Sequence, residues 1–85
     1  MKVKVLFFAG LREQLGTASL EVDVPAGAAT VGGLRNLLVE KNSAWREALG
    51  EKRLVRAAVN QNMVDKTAPI KAGDEVAFFP PVTGG

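Results

Sequence analysis

Hydrophobic and polar positions alternate from the first residues of the chain. Across Lys2-Val3-Lys4-Val5-Leu6-Phe7-Phe8 the period is two and the residues are rich in β-branched and aromatic types. This predicts a strand with Val3, Val5 and Phe7 on the inner face and Lys2, Lys4, Leu6 and Phe8 on the other. Gly10 to Gly16 interrupts the pattern, with Leu11 and Leu15 spaced for one turn of helix. Ser19 to Val24 resumes it and turns Leu20, Val22 and Val24 inward. Pro25-Ala26-Gly27 ends this second strand.

The period then changes. Val31, Leu34, Leu37 and Leu38 recur at helical spacing behind Thr30, a residue suited to the N-cap, while Arg35, Asn36, Glu40 and Lys41 fall on the opposite, solvent face. Gly32 and Gly33 in the first turns weaken this helix by up to about 1 kcal/mol each, but let it approach the sheet closely. A second short helix is expected from Ser43 to Leu49, anchored by Trp45. Val55 to Asn60 reads as a third strand, Gln61-Asn62 as a turn, Met63-Val64 as a short return. Ala72-Gly73-Asp74 is a further turn before a last strand, Glu75 to Phe79.

The order is strand, strand, helix, strand, short strand, strand. One long helix can cover only one face of such a sheet, so an α+β grasp-type roll with an open second face is expected. The chain has 85 residues, which suffices for one core: a single domain over residues 1–79 and an extended tail over 80–85.

Composition narrows the chemistry. The net charge is only +2 and the basic residues are scattered, so neither nucleic acid nor an anionic membrane is an expected partner. No apolar run approaches the roughly 18 residues that span a bilayer, and the first residues read as a strand rather than a signal peptide, so a cytoplasmic location is expected. Cysteine and histidine are both absent, which excludes side-chain thiol chemistry and removes the commonest general base and zinc ligands. Asp74-Glu75 at a turn-to-strand junction suits turn chemistry better than catalysis. No resident cofactor or metal is expected.

The end of the chain is where function concentrates. Pro80 and Pro81 remove backbone donors and hold the chain extended as it leaves the last strand; six residues reach at most about 20 Å. Val82 and Thr83 continue it, and Gly84 and Gly85, lacking Cβ atoms, can thread a narrow channel. The terminal carboxylate must be activated before it accepts sulfur or an amine. The chain has no G-x-x-x-x-G-K-[ST] loop, so the activating enzyme is a separate protein. Alternation supplies a second candidate: if Phe7 and Phe78 enter the core, Phe8 and Phe79 face outward beside the tail. Ala58, Met63 and Leu6 extend this into an apolar docking patch that Arg12 rims. The other possibility is that the 10–16 segment or the short second helix folds over that face and makes Phe8 a core residue.

Leu6-Phe7-Phe8-Ala9, Leu11-Arg12-Glu13 with Gly16, Ala58-Val59-Asn60-Gln61 and the block from Gly73 to Gly85 resemble the small subunit of molybdopterin synthase over essentially the whole chain. The final block, Phe79-Pro80-Pro81-Val82-Thr83-Gly84-Gly85, is its most specific part. The resemblance implies a ubiquitin-like β-grasp fold with a mixed sheet of about five strands, and a sulfur carrier in molybdenum cofactor biosynthesis. Gly85 would be adenylated by a ubiquitin-activating-like enzyme that uses ATP, then converted to a thiocarboxylate with sulfur from a donor. The tail would enter the large synthase subunit, in a heterotetramer of two small and two large subunits, and deliver sulfur to a cyclic pyranopterin precursor. Phe8, Met63 and Phe79 would face the partner. Catalytic side chains would lie on the large subunit, leaving this chain a non-catalytic, sulfur-carrying one.

Three other readings stay open. A carrier for thiamine or another thiolated product shares the fold and the Gly-Gly end. A protein modifier would end in an isopeptide bond to lysine, and a plain β-grasp binding module would carry an inert tail.

Overall fold

The computed structural model describes residues 1–81, so Val82, Thr83, Gly84 and Gly85 lie outside it. Its elements follow the predicted order: β1 (Lys2–Phe7), α1 (Ala9–Leu15), β2 (Ser19–Asp23), a 3₁₀ turn (Ala26–Ala28), α2 (Val31–Val39), α3 (Ser43–Leu49), β3 (Arg56–Val59), β4 (Asn62–Val64) and β5 (Glu75–Phe79). The strands form one mixed sheet in the order β2-β1-β5-β3-β4. β1 runs antiparallel to β2 and parallel to β5, and β3 is antiparallel to both β5 and β4. The last strand of the chain is therefore the central strand of the sheet.

Period two in β1 and β5 decides which face is buried. Val3, Val5, Phe7, Val76 and Phe78 are all essentially inaccessible and form the floor of the core. Val31, Leu34 and Leu38 of α2, Trp45, Ala48 and Leu49 of α3, and Leu11 of α1 pack over them. Trp45 meets Phe7 edge-on, centroids 5.3 Å apart at 74°, and Phe7 stacks with Phe78 at 6.3 Å. All three helices thus contribute to the same face, with α3 wedged against both α2 and α1. Thr30 caps α2 as expected, its hydroxyl accepting from the Gly33 N–H at 3.0 Å, and Asn42 does the same for α3 through the Trp45 N–H. No helix among the described residues is long and apolar enough to cross a membrane.

Several local expectations are corrected. Leu20 and Val22 do turn inward and pack against the core, but stay half-buried because β2 is an edge strand with only β1 beside it; Leu37 is half-buried and does not join the core. Gly32 and Gly33 serve close approach to neighbouring loops rather than to the sheet: a Cβ on Gly33 would lie 2.6 Å from the Ala28 carbonyl oxygen, and one on Gly32 3.1 Å from that of Lys66. Arg35 does not face solvent freely. Its guanidinium reaches across to α3 and donates to the carbonyls of Leu49, Gly50 and Arg53 at 2.6–2.8 Å, satisfying acceptors that the helix end leaves open. Burial lowers its pKa and the charge of Glu51 opposes that shift.

The β3–β4 turn is Asn60-Gln61, one residue earlier than the sequence suggests. Val59 pairs with Asn62, and both turn residues have positive φ, +49° and +72°. This is the two-residue hairpin geometry whose twist suits a sheet, with asparagine tolerated first and glycine preferred second. Gln61→Gly is therefore expected to stabilise the protein by about 1 kcal/mol net of the greater freedom glycine gives the unfolded chain, read as a melting temperature higher by roughly 4–8 °C.

Asn60 also ties this turn to the start of β5. Its Nδ2 donates to Asp74 Oδ1 and its Oδ1 accepts from the Glu75 N–H, each at 3.0 Å, while Asp74 Oδ2 accepts from the Lys71 N–H at 2.9 Å. The Lys71 backbone bond and then the Asn60 amide hold the Asp74 pKa below its ordinary value, against a smaller desolvation effect. A carboxyl whose pKa is lowered on folding stabilises the fold above its unfolded pKa, about 3.9, and loses that contribution as pH falls through the lower folded value. Melting temperature should fall across this acid range, and Asp74→Asn should be less stable at neutral pH with a flatter acid limb. Asp65, exposed and bonded to Thr67, shifts in the same direction, so Asp65→Asn is the matching control.

Candidate functional site

Burying Phe7 and Phe78 obliges their chain neighbours to leave the core. Phe8 is the last residue before α1: its N–H still donates to the Phe78 carbonyl at 3.2 Å, and its own carbonyl accepts from Leu11 at 3.2 Å. Ala9 then takes φ +52°, a left-handed turn that costs an alanine roughly 1 kcal/mol and swings the chain into α1. β1 consequently stops at Phe7 rather than Phe8. Phe8 remains 46% exposed, so neither α1 nor α3 covers it, and the reading that made it a core residue is set aside.

Register assembles the rest of the open face. Leu6 lies beside Ala77, Ala77 beside Ala58, and Ala58 beside Met63, so these four form one cross-strand row from β1 to β4. Met63 at its end is 58% exposed; Ala58, although buried, belongs to this row and is absent from the helix-side core. One step toward the tail, Phe79 is half-buried and paired with Arg56. One step the other way the row is charged, Lys4 lying between Glu21 and Glu75. The face is thus an apolar band with a charged border on the side away from the tail. Arg12 in α1 is exposed, four residues past Phe8, with no carboxylate within 4 Å among the described residues.

The tail begins on this band. β5 is the central strand and its last residue is Phe79; Pro80 and Pro81, half-buried, follow it. A proline offers no N–H, so strand pairing stops there and the chain is released from the middle of the sheet rather than from an edge. Of the sequence-predicted site residues, the structure thus brings Phe8, Met63, Phe79 and the root at Pro80 and Pro81 onto or beside one face, with Arg12 nearby. The predicted reactive end, Val82 to Gly85, lies outside the described residues.

Two features were not found from the sequence. Leu54 is 80% exposed in the loop before β3 and lines, with Gly10, Leu11 and Pro80, a cleft of about 130 Å³ at the tail root. A single leucine among charges carries no periodicity; its only sequence signal is the basic context of Lys52-Arg53-Leu54-Val55-Arg56. The other is the Arg35 clamp. A cleft of about 640 Å³ between α1, α3 and residues 50–53 has a mixed charged lining that includes Arg46, Glu47, Glu51 and Lys52 but none of the open-face residues, and is not the candidate site.

The mixed five-stranded sheet with helices on one face, and a last strand released from its centre, define a ubiquitin-like β-grasp protein. The sequence profile described as the ThiS family matches residues 5–85, and the chain belongs to that family. It is 49% identical over 83 residues to the "Molybdopterin synthase sulfur carrier subunit" of Escherichia coli K12, covering 98% of this chain and 99% of the relative. The protein of the same description from Haemophilus influenzae is 41% identical with the same coverage. Among solved structures, SAMP1 from Haloferax volcanii superposes with a TM-score of 0.77 at 32% identity, covering 100% of both chains. A complex of subunits 1 and 2 of the molybdopterin-converting factor from Helicobacter pylori gives 0.68 at 28%, again covering 100% of both chains.

Proposed function

We propose that this chain is the sulfur carrier subunit of a molybdopterin synthase, working in the cytoplasm. The observation that carries the reading is the placement of a Phe79-Pro80-Pro81 tail root on the central strand, beside an apolar band that includes Phe8 and Met63. Whole-length similarity to carriers of that description supports it.

In this mechanism the Gly85 carboxylate attacks the α-phosphorus of ATP on a separate adenylating enzyme and pyrophosphate leaves. The acyl-adenylate is the activated electrophile that a bare carboxylate is not. Sulfide supplied by the donor then attacks the acyl carbon and displaces AMP, leaving a thiocarboxylate on Gly85. The large subunit receives the tail, Gly84 giving the access a side chain would deny, and the sulfur passes to a cyclic pyranopterin precursor as water cleaves the acyl–sulfur bond and returns Gly85 to a carboxylate. The chain itself supplies positioning: a rigid sheet, a stiff Pro-Pro spacer and an apolar docking face. Two carriers and two large subunits form the assembly, and the catalytic side chains belong to the large subunit.

The test is an intact mass after co-expression with the adenylating enzyme and a sulfur source, followed by thiol alkylation. The chain has no cysteine, so alkylation that fragmentation localises to Gly85 reports a thiocarboxylate. An unmodified terminus beside a competent activating enzyme would sink the reading. A second fate of the same acyl group, an isopeptide bond to a lysine, is favoured by the likeness to SAMP1 of Haloferax volcanii, described as a small archaeal modifier protein. Adducts that survive denaturant would distinguish it.

A further inference from the structure

A lone exposed leucine on a protein surface needs no explanation, but Leu54 does not sit at an arbitrary place. Arg56 pairs with Phe79 in antiparallel register, so the residues before Arg56 run back alongside those that follow Phe79. Val55, Leu54 and Pro80 accordingly line one cleft, with Leu54 and Val55 on the β3 side of the tail root and the end of β1, where Phe8 lies, on its other side. The tail emerges between two exposed apolar side chains: Phe8, 46% exposed, past the end of β1 on one side, and Leu54, 80% exposed, before β3 on the other.

The length of chain beyond Pro81 gives this placement its consequence. Four residues remain, and fully extended they reach about 14 Å at most. A protein that draws Gly85 into an interior site must therefore bring the mouth of its channel against the root itself. It then meets both flanks, the β3 side with Leu54 as well as the β1 side with Phe8. The charge on the second flank is one-sided. Residues 51–56 carry Lys52, Arg53 and Arg56 against Glu51. None of the three cations has a carboxylate within 4 Å among the described residues, whereas the far border of the open face alternates Glu21, Lys4 and Glu75.

We propose that Leu54, flanked by Arg53 and Arg56, is a second docking element at the root of the tail. The large subunit that receives the tail meets it with an apolar pocket edged by carboxylates. This rests on the sulfur-carrier reading and adds to it a partner surface of stated chemistry. The apolar anchor sets the lifetime of the complex, and the arginines set the rate and salt dependence of its formation.

The experiment is a titration of the large synthase subunit of the same organism with wild type, Leu54→Ser, Leu54→Met, the double variant Arg53→Glu/Arg56→Glu, and Phe8→Ala, each at low and high salt. Leu54→Ser should weaken binding about tenfold with an unchanged melting temperature, and Leu54→Met should retain it. The double charge reversal should weaken binding at least about tenfold at low salt and flatten the salt dependence. Wild-type affinity for both the Leu54→Ser and the charge-reversed proteins, with Phe8→Ala still weakened, would overturn the second docking element and leave the carrier reading standing. Absence of wild-type binding to the large subunit would overturn both.

Discussion

Deleting Gly84 and Gly85 is expected to abolish thiocarboxylate formation and sulfur transfer while leaving the melting temperature unchanged. Shortening the chain by two residues draws the reactive carboxylate back by roughly 7 Å and puts Thr83, with a branched side chain, at the end that must enter a narrow channel. A displacement of 1 Å can already cost about a hundredfold in a step that depends on alignment, so a shift of this size leaves no measurable turnover. Stability is untouched because the hydrogen-bonded sheet ends at Phe79 and the described core contains nothing beyond Phe78. Alkylation followed by intact mass reads the first effect and thermal unfolding the second. Activity retained by the truncated chain would instead make the protein a binding module with an inert tail.

The second large effect is the separation of two adjacent phenylalanine pairs by function. Phe8→Ala and Phe79→Ala together should weaken binding of the large subunit by roughly 3–4 kcal/mol, two to three orders of magnitude in Kd. Phe8 is 46% exposed in the free protein, so truncating it removes little that the fold depends on. Phe78→Ala, one residue away and 1% exposed, should cost about 3–5 kcal/mol of stability by opening a cavity against Phe7. Titration and thermal melts on the same set of variants check both. Equal losses of stability and affinity for Phe8→Ala would assign it to packing rather than recognition.

The open face was legible because a strand's period is two. Once Phe7 and Phe78 are assigned to the core, Phe8 and Phe79 have no freedom to join them, whatever the rest of the chain does. Thr30 as a cap and Trp45 as the anchor of α3 were equally local inferences, made from one residue and its immediate neighbours, and both stand. The inferences that failed concern partners distant in sequence. Arg35 reads as a solvent-facing residue on a helical wheel, and only the packing of α3 beside α2 brings three carbonyls within its reach. The hairpin turn sits one residue earlier than its local sequence suggests, and there Asn60 bonds to Asp74 and Glu75, 14 and 15 positions away at the start of β5.

The sequence by itself determined the elements, the buried face of each, and the character of the tail, because periodicity, caps and prolines act over a few residues. Only the tertiary structure decided that β5 lies between β1 and β3, so that the tail leaves from the centre of the sheet. The same pairing set Leu54 beside Pro80. Parallel pairing of the first strand with the last joins residues some seventy positions apart, Val5 beside Val76, and no local pattern records which strands will meet. That choice is made by the whole core, through the helices that must cover Phe7 and Phe78 together.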